Sequence, residues 1–140
     1  EVMIEQALAL GKPCREAIEE SGKRVVLVSS HSLSHRHFVT ESPLPEDMSR
    51  EHIYNHSQYV WDMKAIDMMR KGEMRELIDI LPEMIEQTMA EAEGGGLTWM
   101  MAAMGMPDYP AEIYGYQSVI GTGNCIAAWV PEPDAREIVL

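Results

Sequence analysis

Residues 25–38, with the sequence VVLVSSHSLSHRHF, decide the predicted fold. The first four, Val25-Val26-Leu27-Val28, form a short continuous apolar run, which is typical of a β-strand buried on both faces. Strands of this kind occur in sheets whose faces are covered by helices. The run therefore predicts an α/β fold with a buried, mainly parallel or mixed sheet flanked by helices.

Helices are predicted on both sides of this strand. Apolar residues at three- and four-residue spacing predict a first helix that ends at Ser21-Gly22, with a kink or break near Gly11 to Pro13. Further helices are predicted at residues 57–71, at 74–81, from Pro82 towards Glu91, and at 97–104. Two strands, at residues 114–120 and 125–130, are predicted around a turn at 121–124.

Three of the five histidines lie within seven residues, directly after the predicted strand: His31, His35 and His37. Ligand crevices in open α/β sheets form at the carboxyl ends of strands. Clustering at this place predicts that at least one of the three is functional. The alternative is a solvated loop whose imidazoles cap backbone carbonyls.

A second candidate region surrounds Glu91 and Glu93, which are expected to end a helix. The helix dipole disfavours carboxylates at that end, so a compensating cation or metal ion is one interpretation. An exposed acidic helix end is the other. The glycines at 94–96 would let backbone approach a ligand closely, although a flexible turn explains them as well.

Composition excludes several classes of function. The 140 residues suffice for one domain, and their net charge of -12 disfavours nucleic acid and anionic membrane surfaces as partners. No apolar run is long enough to span a bilayer. Cys14 and Cys125 lack motif spacing, and as reduced thiols they predict a cytoplasmic protein. The sequence has neither a Cys-x-x-Cys pair nor a Gly-x-Ser-x-Gly elbow.

Four segments resemble, in the same order, those of the class III extradiol ring-cleaving dioxygenases. The first, residues 33–38, contains the Leu-Ser-His of that family, and the others are residues 45–49, 97–100 and 116–124. The likeness covers nearly the whole chain, which makes it more specific than any single motif. It also implies the α/β fold of that family.

The resemblance implies cleavage of an aromatic ring by O₂, beside two ortho substituents of the aminophenol or catechol type. In this family Fe(II) is held by two histidines and one glutamate, with open positions for substrate and O₂. By the match, Glu91 falls on the carboxylate ligand and His35 on the acid/base histidine, a role suited to a near-neutral pKa. His31 and His37 are expected to line the substrate pocket.

One departure from the family pattern limits this expectation. The two metal-binding histidines of the family belong to an N-terminal part that has no match here. Residues 1–140 are therefore expected to be the C-terminal part of a catalytic domain, inactive alone. The rest of a longer chain or another chain would complete it, and the resemblance implies a hetero- or homo-oligomer of related subunits.

Two alternatives remain open at this point. The chain could be a non-catalytic binding or scaffold subunit of the same superfamily. It could also be an unrelated metal-binding protein that uses His31, His35 and His37 directly.

Overall fold

The computed structural model describes residues 2–35 and 55–131. In chain order the elements are α1 (Val2–Ser21), α2 (His56–Lys71), α3 (Met74–Thr88), a 3₁₀ turn (Glu91–Gly94), α4 (Gly95–Ala103), β1 (Glu112–Val119) and β2 (Thr122–Ala128).

The apolar core lies between the helices. Ile66 of α2, Leu77 of α3 and Met101 of α4 are almost completely buried there. Helix α1 packs against α4, and the approach is close because Gly11 has no side chain. A Cβ atom at Gly11 would overlap the Cβ of Ala102.

The predicted helices are confirmed, but neither proline breaks a helix in two. Helix α1 continues through Pro13, and α3 continues through Pro82 as one helix. A proline inside a helix removes one backbone hydrogen bond. In α3 the buried apolar stripe runs across Pro82, from Leu77 to Met84, so burial of that stripe offsets the loss.

The predicted buried strand at Val25-Val26-Leu27-Val28 is wrong for this chain. These residues lie outside any strand, and Val26 and Val28 are 86% and 77% exposed. The reason is physical: a strand needs a hydrogen-bonded neighbour, and in residues 2–35 and 55–131 no strand pairs with this segment. The described sheet has two antiparallel strands, rather than the mainly parallel or mixed sheet expected.

Strands β1 and β2 confirm the predicted hairpin near the end of the chain. They pair in antiparallel register, with Tyr116 opposite Cys125. The connection is a two-residue turn at Ile120 and Gly121, both with positive φ, which is shorter than the four-residue turn predicted.

The hairpin also holds the histidine-rich segment. The Leu33 N–H donates to the Gly123 carbonyl at 2.9 Å, and the Gly123 N–H donates to the Ser34 carbonyl at 3.1 Å. Residues 32–35 are thereby fixed beside β2. Among the described helices, none is both long and apolar enough to cross a membrane.

Candidate functional site

The two candidate regions of the sequence meet in space. The Ser32 backbone N–H donates a hydrogen bond of 2.7 Å to Oε2 of Glu91, across 59 residues of sequence. Glu91 lies in the 3₁₀ turn after α3, and Ser32 lies in the segment that carries His31 and His35. The contact therefore places a carboxylate next to the predicted acid/base histidine.

The surroundings of Glu91 favour its charged form. The hydrogen bond from the Ser32 backbone lowers the pKa of the Glu91 carboxyl, and burial opposes this in part. Electrostatic interaction with the side chains of His35 and His31 lowers that pKa further. Glu91 is thus a half-buried carboxylate, and both described histidines of the segment are near enough to act on it electrostatically.

His31 lies on the inner side of the same segment. Its Nδ1 is 3.1 Å from the Ser29 hydroxyl, and the ring is partly buried. Burial lowers the pKa of His31, and the negative charge of Glu91 opposes the shift. The lowered pKa favours the neutral imidazole, which is the form that accepts a proton or binds a metal ion.

The backbone of His35 is fixed from two sides. Its N–H donates to the Thr88 carbonyl at 3.0 Å, and its own carbonyl accepts from Nε2 of Gln58 at 3.1 Å. The Gln58 amide also donates to the Thr88 carbonyl at 3.0 Å. The ends of α2 and α3 therefore hold His35 in place. His37, the third histidine of the cluster, lies outside the described residues.

The backbone around Glu91 is strained. Met89, Ala92 and Glu93 have φ angles of 51°, 49° and 49°, a left-handed conformation that costs a residue with a side chain about 1–2 kcal/mol. Such strain persists where surrounding contacts over-determine it, and it clusters at functional sites. The Ser32 hydrogen bond is one of those contacts.

The electrostatic argument from a helix end was wrong in its geometry. Helix α3 ends at Thr88, so Glu91 and Glu93 lie in the following turn and not at the negative end of that helix. Gly94 ends the turn in the left-handed conformation, and Gly95 and Gly96 start helix α4, so these glycines do not form the flexible turn expected. Glu93 is exposed, whereas Glu91 turns towards Ser32.

A buried carboxylate that was not predicted as a functional residue holds the histidine-bearing segment through Ser34. Oδ2 of Asp62, on α2, accepts hydrogen bonds of 2.7 Å from the Ser34 hydroxyl and from the Tyr116 hydroxyl. Asp62 is fully buried, and burial raises the pKa of its carboxyl despite these two hydrogen bonds.

The sequence pattern of α2 could have indicated these buried polar contacts. Gln58 and Asp62 are four residues apart and occupy the same face of α2 as Ala65, Ile66 and Met69, all of them buried. Two polar residues within an apolar helical stripe indicate buried hydrogen bonds, because unpaired polar groups are costly in a core.

A small pocket lies beside the segment, on its core side. His31 and Ser32 border it, and the rest of its lining is mostly apolar: Leu33, Ala65, Leu77, Leu81, Met84, Ala90, Gly94 and Leu97. Such a lining suits apolar contacts rather than a metal ion.

The donor set of the described residues fits one position of an iron site. The Glu91 carboxylate is an oxygen donor of the kind that joins two imidazoles around Fe(II) in facial-triad sites. Across residues 2–35 and 55–131, however, no group of three His, Cys, Asp or Glu side chains could hold a metal ion. Any iron held by Glu91 therefore requires ligands from outside these residues.

Comparison with known proteins identifies the family of this chain. Residues 3–127 match the family described as the catalytic LigB subunit of aromatic ring-opening dioxygenase. The 2-aminophenol 1,6-dioxygenase beta subunit of Pseudomonas sp is 52% identical over 120 residues, which are 86% of this chain and 39% of that relative. The chain thus spans about two fifths of the length of the relative. It belongs to the LigB family of aromatic ring-opening dioxygenase subunits.

Proposed function

We propose that this chain carries part of the active site of an Fe(II)-dependent extradiol dioxygenase, with Glu91 as an iron ligand and His35 as the acid/base group. The observation that carries the proposal is the 2.7 Å hydrogen bond from Ser32 to Glu91, which sets the carboxylate beside His31 and His35. Membership of an aromatic ring-opening family supports the reaction class.

Glu91 is suited to hold a divalent cation. Its lowered pKa keeps it ionised at neutral pH, and only the ionised carboxylate is a strong oxygen ligand. The Ser32 N–H engages Oε2 and so fixes the orientation of the carboxylate, as outer-shell hydrogen bonds do for metal ligands. When bound, the iron would supply the electronic coupling between the aromatic ring and O₂.

His35 is suited to move a proton at the substrate. An imidazole can remove the proton of a ring hydroxyl and return it later in the reaction, because its ordinary pKa lies near neutrality. Such a role needs a fixed position, and the hydrogen bonds to Thr88 and from Gln58 hold the His35 backbone.

The proposed substrate class is an aromatic ring with two ortho heteroatom substituents, such as 2-aminophenol or a catechol. The name of the Pseudomonas relative, a 2-aminophenol 1,6-dioxygenase beta subunit, supports the first of these. His31 would line the substrate pocket as a neutral imidazole, and His37 would do so from the segment that follows. The name of the relative also supports assembly with further subunits.

Two additional iron ligands, both histidines, would come from a part of the domain that this chain does not match. The described residues offer no group of three donors, and the chain spans 39% of the relative. We therefore propose that the active protein unites this chain with the rest of a LigB-type domain. We call the part of the Pseudomonas subunit that has no counterpart in this chain the complementing segment.

Oxygen consumption tests the reaction class. The chain co-expressed with the complementing segment and loaded with Fe(II) is expected to consume one O₂ per ring and to place both atoms of ¹⁸O₂ in the product. Phenol, which lacks the second ortho substituent, is the matched control and should remain intact. Oxygen uptake without label in a ring-opened product would contradict extradiol cleavage.

A second candidate function is a non-catalytic subunit of the same family. The lack of a three-donor group among the described residues favours it. In that case Glu91→Gln and His35→Ala would leave the turnover of the assembled protein unchanged.

A further inference from the structure

We propose that residues 24–30 form an unfilled β-strand position, onto which a strand of the remaining LigB-type domain pairs. This inference concerns the site of assembly. It rests on the proposed function only in the identity of the partner.

Burial along this segment alternates as in a β-strand. Leu27, Ser29 and His31 are partly buried, whereas Val26, Val28 and Ser30 between them are exposed. Alternation with a period of two is the signature of a strand with one covered face. The covered face lies on the helices, because Leu27 packs against the core and a Cβ atom on Gly96 of α4 would lie 2.7 Å from the Ser29 hydroxyl.

The other face and the backbone lack partners in the part of the chain that the structure describes. On this face Val26 and Val28 are 86% and 77% exposed. No backbone hydrogen bond among the described residues involves 24–31. Unpaired N–H and C=O groups next to exposed valines form a template for strand addition.

The observations identify the occupant as part of the same kind of domain. Residues 3–127 match the LigB family, yet the chain spans only 39% of its Pseudomonas relative. A domain of that family therefore has more chain to place, and the exposed valines are an apolar surface to cover. The segment leads directly into His31, so a strand paired here would end beside Glu91, where the proposed iron site needs further ligands.

The test is amide hydrogen exchange with mass spectrometry on the chain alone and co-expressed with the complementing segment, without iron or substrate. The expected result is a stable complex in which the amides of residues 24–30 become protected. Absence of a complex, or a complex that leaves these amides unprotected, would overturn the proposal. Protection in the chain alone would also overturn it, because a second copy, if a dimer forms, or another part of the same chain, if the chain stays monomeric, would then be the occupant.

Charge substitutions test whether the partner binds to this surface specifically or to any exposed apolar residue. The double variant Val26→Lys/Val28→Lys should weaken the complex at least about tenfold in Kd, since it puts two charges where apolar burial is required. Val130→Lys is the matched control, because Val130 is a valine outside any strand and 64% exposed. It should leave Kd unchanged.

The proposal would be overturned if the double variant and the control weakened the complex equally, or if neither of them changed its Kd. The readout is binding alone, so it stands apart from the proposed chemistry. A complex that forms as expected but cleaves no ring would contradict the proposed function and leave the strand pairing established.

Discussion

The backbone nitrogen of Ser32 and Oε2 of Glu91 are 2.7 Å apart, although 59 residues separate them in the sequence. This hydrogen bond joins the histidine-bearing segment to the strained turn after α3. It positions the Glu91 carboxylate and, with the bonds at His35, brings a candidate ligand and a candidate acid/base group together.

Glu91→Gln is expected to reduce the iron content of the assembled protein. The glutamine oxygen can still accept the Ser32 hydrogen bond, so the shape of the site persists while the charge that stabilises the cation is lost. Metal analysis after desalting measures the effect. The control is Glu93→Gln, two residues away and exposed, which should retain iron. If the two variants exchange behaviour, Glu93 is the ligand.

His35→Ala is expected to keep iron bound and to slow turnover. General acid/base groups contribute about 10²- to 10⁴-fold, so the assembled variant should lose activity within that range. Oxygen uptake with 2-aminophenol measures turnover, and metal analysis of the same sample measures iron. Loss of iron from the variant would show that His35 is a ligand and not the proton carrier.

Gly123→Ala is expected to destabilise the fold where β2 packs against Asp62 and Ser34. A Cβ atom there would overlap Oδ2 of Asp62 and lie 2.7 Å from the Ser34 hydroxyl, so it would push the two hydrogen-bonded groups apart. Overpacking of this kind costs about 1–3 kcal/mol in the free energy of unfolding, which urea denaturation measures.

Gly115→Ala is the control in the same hairpin, because a Cβ atom at Gly115 meets nothing within 4 Å. Equal stability of the two variants would contradict the tight packing of β2 against Asp62.

The free energy of unfolding of the Asp62→Asn variant is expected to increase, relative to that of the unmodified chain, as pH rises. Burial raises the pKa of Asp62 above its ordinary 3.8, so the folded state favours the protonated carboxyl. The stability due to this shift is fully present below the unfolded pKa and is lost as pH rises through the folded one. Asparagine does not titrate and escapes that loss.

Urea unfolding at a series of pH values from 3.8 upward measures the difference between Asp62→Asn and the unmodified chain. Asp79→Asn, at an exposed position on α3, is the control and should show little change. A stability difference at Asp62 that does not vary with pH would contradict a raised pKa.

Local patterns predicted the helices and the hairpin well, since capping and periodicity act within a few residues. Helix α2, predicted at residues 57–71, is an example. It spans His56–Lys71, and left-handed Gly72 closes its end, whereas the cap at its start, where the Asn55 side chain accepts from the Gln58 N–H, was not predicted. The same local rules wrongly predicted a helix boundary at Pro82. Helix α3 continues through it, because continuous burial along the helix outweighs one missing hydrogen bond.

Pairing and long-range contacts were beyond local patterns. The apolar run at residues 25–28 predicts a strand, but whether a strand forms depends on a partner elsewhere in the chain or outside it. Likewise, the sequence resemblance singled out Glu91 and His35, but not Asp62 or the Ser32 backbone, whose roles appear only when distant segments meet.

Iron content and oxygen uptake, measured on the chain alone and on the chain with the complementing segment, test the central claim most directly. Iron(II) lies low in the divalent affinity order, so one carboxylate should not hold it firmly. The chain alone is expected to bind iron weakly and to consume no oxygen with 2-aminophenol or catechols, and the complementing segment should restore both properties together. Stoichiometric iron in the chain alone, abolished by His31→Ala and His37→Ala, would contradict the account and establish a local histidine site.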